Sequence, residues 1–246
     1  MATYAFTDIH GNYNLWLSIK NYCKDNDTLC FLGDAIDRGP DGIKIMQELL
    51  EDKRVLYLMG NHEYDFLDYV EIGITKVLQD KQERKLIEWN GSLNTLKQFL
   101  LLSKEEQEKL IFNLKTKLIK KILYINKENK KIVLCHAGCN PKHINGDYPL
   151  KYYIWDRNHI SMHAKDWDPF YNDYVIIHGH TPVQLLKNQN KINITKDTIE
   201  KYCGGHKIDI DLGSFVTNKT ALINLDTFEV IYFEDKESLK WIKSQI

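Results

Sequence analysis

The chain has 246 residues, of which 43% are hydrophobic and 27% charged, and its 33 Lys and Arg nearly balance 34 Asp and Glu for a formal net charge of -1. That composition suits a well-filled core and excludes a disordered chain, while the balanced charge excludes a global basic field that would hold a nucleic-acid backbone. No run approaches the roughly 18 consecutive apolar residues needed to span a bilayer, and the first residues lead into a strand rather than a signal peptide. The protein is therefore expected to be soluble and cytoplasmic, and any attraction for an anionic substrate must be local.

The first apolar run, residues 4–7, reads as a short buried strand ending in Asp8-Ile9-His10-Gly11. An amphipathic stretch follows, with Leu15, Leu17, Ile19 and Tyr22. A second strand, residues 28–32, runs into Gly33-Asp34-Ala35-Ile36-Asp37-Arg38-Gly39, and a second helix carries Ile43, Ile45, Met46, Leu49 and Leu50, with Pro40 at its entrance and Asp41 as its cap. A third strand, residues 55–59, precedes Gly60-Asn61-His62-Glu63. This alternation is that of a parallel sheet with crossover helices, an α/β arrangement.

From residue 64 the pattern changes to long helical periodicity rich in Lys, Glu and Gln, broken at Asn90-Gly91-Ser92, where Gly91 ends one helix and Ser92 caps the next. This block, about residues 64–125, is read as a helical insertion or cap within one domain spanning 1–246. Strands return at 132–135, 174–177 and 207–210, each leading into a polar motif: His136-Ala137-Gly138, His178-Gly179-His180-Thr181-Pro182 and Asp211-Leu212-Gly213. Residues 221–225 and 230–233 form a hairpin around Asp226-Thr227, and the amphipathic residues 239–242 are expected in a terminal helix.

Six strands that end in ligand-type residues would deliver them to one sheet edge, where open α/β folds place their sites. Two divalent ions roughly 3.5 to 4 Å apart orient a phosphoryl group, activate water at neutral pH and stabilise in-line displacement. Asp8 and His10, two apart, share a face of an extended backbone and chelate one ion. Asp34 bridges, and Asn61, His136 and one histidine of the 175–181 segment complete the second; spacing does not choose between His178 and His180, which share a strand face. His62, next to Asn61, points elsewhere on an extended backbone, as suits a general acid supported by a carboxylate, for which Asp37 is the candidate. Arg38 offers a planar fork for phosphate oxygens, and Arg157 in Ile154-Trp155-Asp156-Arg157 is the second cation unless Asp156 holds it in a surface ion pair.

The motifs DIHG, GDAIDRG, GNHE, CHAG, YIWDR, HGHTP and IDLGS, in that order from Asp8 to Ser214, resemble those of the PPP family of metallophosphoesterases, in particular its small bacterial and phage members; WNGSLNTL, residues 89–96, also resembles a stretch in their helical region. The resemblance implies a calcineurin-like fold, two mixed sheets in a sandwich with flanking helices. It implies Asp8, His10 and Asp34 on one ion, Asp34, Asn61, His136 and His180 on the other, and Mn as the metal, although carboxylate, amide and imidazole ligands also suit Fe or Zn. It gives His62 the acid role, Asp37 its support, and Arg38 and Arg157 the phosphate contacts. The one mild departure is Asp211-Leu212-Gly213 where the family has Asp-Thr-Gly.

The expected function is hydrolysis of phosphate monoesters, foremost phosphoserine or phosphothreonine on proteins, by direct attack of water activated between the ions. An alternative is a dinucleoside polyphosphate hydrolase of the diadenosine tetraphosphatase type; those bacterial enzymes commonly lack the second Asp of the second motif, which this chain keeps as Asp37. A non-catalytic interaction module of the same fold is the other, and such degeneration normally deletes ligands that are all present here. Asn90 either reaches substrate or stops its helix. His143, His159, His163 and His206 are expected as ordinary surface or loop histidines, and His178 as a core residue or a partner of the site. Of the five cysteines, none is spaced as Cys-x-x-Cys, and Cys135, beside His136, is expected as a small buried thiol. Tyr148, Tyr152, Tyr153, Trp155 and Trp167 are expected in packing rather than in a pocket.

Overall fold

A computed structural model describes residues 1–127, 130–186 and 196–237. The chain runs β1 (Thr3–Phe6), α1 (Tyr13–Tyr22), β2 (Thr28–Phe31), α2 (Gly42–Glu51) and β3 (Val55–Tyr57). Five helices come next: α3 (Asn61–Ile72), α4 (Ile74–Gln79), α5 (Lys81–Asn90), α6 (Leu93–Leu101) and α7 (Lys104–Lys117). The remainder is β4 (Leu123–Lys127), β5 (Lys130–Leu134), α8 (Leu150–Trp155), β6 (Tyr174–His178), β7 (Glu200–Tyr202), β8 (Lys207–Asp209), α9 (Ser214–Thr217), β9 (Lys219–Asn224) and β10 (Val230–Glu234). The helix expected at 239–242 lies outside the described residues.

Among the described residues two five-stranded mixed sheets result, in the orders β10-β9-β1-β2-β3 and β4-β5-β6-β8-β7. The parallel cores, β1-β2-β3 and β5-β6-β8, are the six runs that lead into the polar motifs, and antiparallel strands close the edges. The period of two along each strand sorts side chains between layers. Ala5, Cys30, Ile132, Leu134, Val175, Ile177, Ile208 and Ile223 pack between the sheets. Their neighbours Phe6, Phe31 and Leu222 face the helices instead, where Trp16, Ile45, Met46 and Leu49 cover them. Each such buried side chain contributes about 1.5–3 kcal/mol, so truncating one of these fully buried rings removes stability no surface contact replaces.

The insertion helices share this same core: Phe66, Val77, Ile87, Leu96, Phe99, Leu110 and Leu114 join it beside α2. The helical block ends at Lys117, short of the expected boundary near 125, because Leu123–Lys127 is an edge strand paired antiparallel with β5. Its half-buried alternation with exposed Tyr124 and Asn126 gives a weak apolar signal. At the other end of the sequence the hairpin forms as expected, with Asn224 Oδ1 accepting from the N–H groups of Asp226 and Thr227 at 2.8 and 3.2 Å. All five cysteines are free and buried. No helix among the described residues is long and apolar enough to cross a membrane.

Candidate metal centre

The loops after β1 and β2 stay side by side beyond their strands: Asp8 N–H donates to Gly33 O and His10 N–H to Asp34 O, at 3.0 and 3.1 Å. The backbone there is not extended. Asp8, His10, Asp34, Asp37, Arg38 and His180 all take positive φ, between 40° and 69°. Non-glycine residues rarely do so, and such conformations gather where surrounding structure holds side chains for function. Asp8 and His10 thus meet through two left-handed turns, not through a shared strand face as expected, and His10 Nε2 lies 3.8 Å from Asp8 Oδ1.

Asp34 is the hub. Its Oδ2 lies 3.4 Å from His136 Nε2, 3.8 Å from His62 Nε2 and 3.9 Å from His10 Nε2. Its Oδ1 accepts the His62 N–H at 3.1 Å, at the N-terminal end of α3, where helix N–H groups favour negative charge. Gly60 caps that helix, and a Cβ there would run into Asp34 Oδ1 and its backbone nitrogen, so only glycine lets the start of α3 approach the loop after β2 so closely.

Asn61 and His62 open α3 rather than extending β3, which corrects the extended-backbone expectation. Successive side chains on a helix diverge by about 100°, and so these two do. Asn61 Oδ1 lies 3.0 Å from His136 Nε2 and 2.8 Å from His180 Nδ1, while His62 Nδ1 lies 2.6 Å from Asp37 Oδ2.

The donor set fits divalent cations. His10 Nδ1–H donates to Ile36 O at 3.0 Å and His136 Nδ1–H to Leu32 O at 2.8 Å, which points each Nε2 into the cage. Two groups of atoms that could hold a cation, His10-Asp34-His62 and Asp34-His136-His180, each lie within 4.8 Å of one another and are buried. His180 Nε2 and Asp37 Oδ1 are buried without a hydrogen-bond partner. Burial opposes a charged ring at His136, yet the carboxylates of Asp34, Asp8 and Glu63 outweigh it and raise its pKa to about 10. The cage therefore demands positive charge, which a bound cation would supply in place of that proton. His10 and His180 are held well below the usual histidine value, chiefly by burial and then by neighbouring cations, so both rings are neutral.

His62 differs. Burial lowers its pKa, but Asp34 and the hydrogen-bonded Asp37 outweigh this and leave it raised. Ser92 Oγ also donates to Asp37 Oδ2 at 2.6 Å, and Asp37 N–H donates to Thr95 Oγ1 at 3.0 Å. The Ser92 side chain thus holds Asp37 instead of capping α6, and Asp41 sits at the N-cap of α2 without a side-chain capping bond. Arg38 takes its N–H to Gly91 O at 3.1 Å, and its guanidinium reaches His10 Nε2 at 2.9 Å and His62 Nε2 at 3.3 Å. Asn90, half-buried, closes α5 one residue before that contact. Arg157 is tied to the cage by Nε to Thr181 Oγ1 at 3.1 Å and Nη2 to His180 O at 3.4 Å, while Asp156 accepts from Asn158.

His178 and His180 part company: the turn at His180 brings its ring to Asn61, whereas His178 Nε2 accepts from Tyr202 OH at 2.7 Å. His159 is not a surface residue as expected. It is buried between the Ala137 carbonyl and the fully buried Lys207, whose Nζ donates to His159 Nδ1 at 2.7 Å. Of the aromatic cluster, Tyr153 and Trp167 are buried in a core with Cys135 and Cys139, and Trp155 packs on Tyr64, so these rings pack as expected.

Glu63 had no role from sequence. Fully buried, it accepts from the N–H groups of Asp34, Ala35 and Gly60 and from Tyr57 OH, all at 2.8–2.9 Å, bolting the second motif to the third. Its place directly after Asn61-His62 in a capping position was the one available signal. Phe215 was missed too: its ring lies 4.1 Å from the Arg38 guanidinium carbon and edge-on to His10.

Residues 1–212 match the family model described as calcineurin-like phosphoesterase. A bis(5'-nucleosyl)-tetraphosphatase PrpE [asymmetrical] of Oceanobacillus iheyensis is 29% identical over 241 residues, covering 86% of this chain and 84% of that protein. A bis(5'-nucleosyl)-tetraphosphatase, symmetrical, of Wigglesworthia glossinidia brevipalpis is 33% identical over 58% of this chain but only 46% of its own length. Among solved structures, a putative diadenosine tetraphosphatase superposes with a TM-score of 0.63 at 16% identity, covering 96% of this chain and 94% of its own. A protein serine/threonine phosphatase from Saccharomyces cerevisiae, at 0.57 and 12% identity over 96% of this chain and 81% of its own, shares the fold. With two mixed sheets, the carboxylate-histidine cage at their edge and a family match over most of its length, this chain belongs to the calcineurin-like phosphoesterase family.

Proposed function

We propose that this phosphoesterase hydrolyses a dinucleoside polyphosphate, in preference to the phosphoserine or phosphothreonine esters expected from the motifs. The observation that carries this substrate class is the likeness to the Oceanobacillus protein, which extends over 86% of the chain and 84% of that relative. Asp8, His10 and Asp34 would hold one divalent ion and Asp34, Asn61, His136 and His180 the other, with Mn the favoured metal. Such ions supply Lewis-acid charge to the phosphoryl oxygens and an activated water.

The side chains supply the rest. An Nε2 that accepts from Arg38 has no lone pair free for a cation, so His10 becomes a ligand only when the guanidinium moves off it. Two phosphoryl oxygens are the partners its planar fork then takes, with Arg157 gripping from the His180 side. Asn90, next to Gly91 against Arg38, is a further candidate for contact with substrate. Asp37 accepts the Nδ1–H of His62 and, with Asp34, favours the doubly protonated ring, so that once Arg38 leaves its Nε2 that nitrogen can carry the proton for the departing oxygen.

One observation favours phosphoprotein as a second reading. The buried Asp37-His62 pair supports a strong general acid, which an alkoxide leaving group needs more than a phosphate anion does. Turnover of diadenosine tetraphosphate and of a phosphoserine peptide, side by side with Mn supplied, tests the choice. A higher kcat/KM for the dinucleotide is expected, and a higher value for the peptide would replace the first reading with the second.

A further inference from the structure

Beside the cage lies a cavity of about 410 Å³ whose walls include His10 and Arg38 together with Tyr13, Asn12, Phe215 and Asn218. We propose that it is the subsite for one nucleoside of the substrate, its base stacked on Phe215 and hydrogen-bonded by the Asn218 amide. The inference rests on the dinucleoside polyphosphate reading and adds the place where a base is recognised.

Size comes first. Small-molecule sites run from about 300 to 1,000 Å³, so this cavity takes a single nucleoside. Its location is the second point. Arg38 and His10 belong both to this wall and to the cage, so a group seated here is continuous with a phosphate held by Arg38.

The chemistry of the lining then selects an aromatic, hydrogen-bonding ligand. The Arg38 guanidinium covers the Phe215 ring at 4.1 Å, yet Phe215 remains 39% exposed, an aromatic surface left open beside a phosphate-gripping cation. Bases stack on such rings whatever their sequence, because every base has a π-face. Asn218 is only 2% exposed, lines the same cavity, and its Nδ2 has no hydrogen-bond partner. A buried amide donor left unmade is costly, and a ring nitrogen or carbonyl of a base supplies the missing acceptor. Its backbone explains why it is asparagine: φ is 53° at the end of α9, a left-handed position that Asn tolerates.

A phosphorylated serine side chain has neither an aromatic face nor a ring acceptor to offer this wall.

Calorimetric titration of the Mn-supplied protein with AMP and with ribose 5-phosphate, which carries the same phosphate without the base, tests the subsite directly. AMP is expected to bind about tenfold tighter, the worth of one good stack. Phe215→Leu and Asn218→Gly should each lower AMP affinity far more than ribose 5-phosphate affinity, and so remove most of that difference. Equal affinities for AMP and ribose 5-phosphate in the wild type, or an AMP preference untouched by both variants, would overturn the subsite. If AMP is preferred through Phe215 and Asn218 but diadenosine tetraphosphate is not hydrolysed, the subsite stands and the proposed substrate falls.

Discussion

Nδ1 of His62 lies 2.6 Å from Oδ2 of Asp37, a buried pair joined across 25 residues by the loop after β2 and the first turn of α3. Because Asp37 takes one ring nitrogen, the other is committed to the cage. Replacing His62 with Asn should leave metal content intact and lower kcat by about two to four powers of ten. Metal analysis beside steady-state kinetics checks both halves, and loss of metal would remove His62 from the acid role.

Asp34 makes a different demand. Its carboxylate stands between the two ligand groups, within 3.4 to 3.9 Å of three histidine nitrogens, so Asp34→Asn removes the charge common to both. The variant is expected to fold, with an unchanged far-UV circular dichroism spectrum, and to retain at most one of the two ions. Retention of both, measured by elemental analysis, would show that Asp34 does not bridge.

Glu63→Gln probes the scaffold behind the cage. One carboxylate accepts four hydrogen bonds, and an amide in its place turns one acceptor into a donor facing an N–H or the Tyr57 hydroxyl. A stability loss of about 1–3 kcal/mol is expected from urea unfolding, as for a buried group left unsatisfied. An unchanged midpoint would mean that the loops are held by something else.

Lys207 supplies a pH dependence. Burial, opposed by the nearby thiols, lowers its pKa from 10.5 to about 8. The folded chain therefore releases this proton before the unfolded chain does. Below about pH 8 the buried charge costs stability, and between about pH 8 and 10.5 that cost is relieved as pH rises. Thermal unfolding of wild type against Lys207→Met should show the wild type gaining relative stability from pH 7 to pH 10. A constant difference would mean that Lys207 titrates alike in both states.

Much of this site is legible in the strand runs and the motifs that follow them, since a buried parallel strand is an apolar run and its ligand must come next at the sheet edge. What escapes such a reading depends on contacts far apart in the chain. Nothing near Ser92 announces that its hydroxyl reaches Asp37 across 55 residues, and nothing near His159 announces Lys207. The extended-backbone argument for Asp8 and His10 reaches the right neighbours by the wrong path, because left-handed φ at six site residues is set by the packed loops and not by local propensity. Likewise β4 is hidden by alternation with polar residues at a sheet edge, where only half of each strand is buried.

If Asp34 joins two cations in one cage, anomalous scattering from crystals grown with Mn will reveal both. The expected result is two peaks, roughly 3.5 to 4 Å apart, both within bonding distance of Asp34, one flanked by Asp8 and His10 and the other by Asn61, His136 and His180. A single peak, or peaks remote from Asp34, would refute the shared cage.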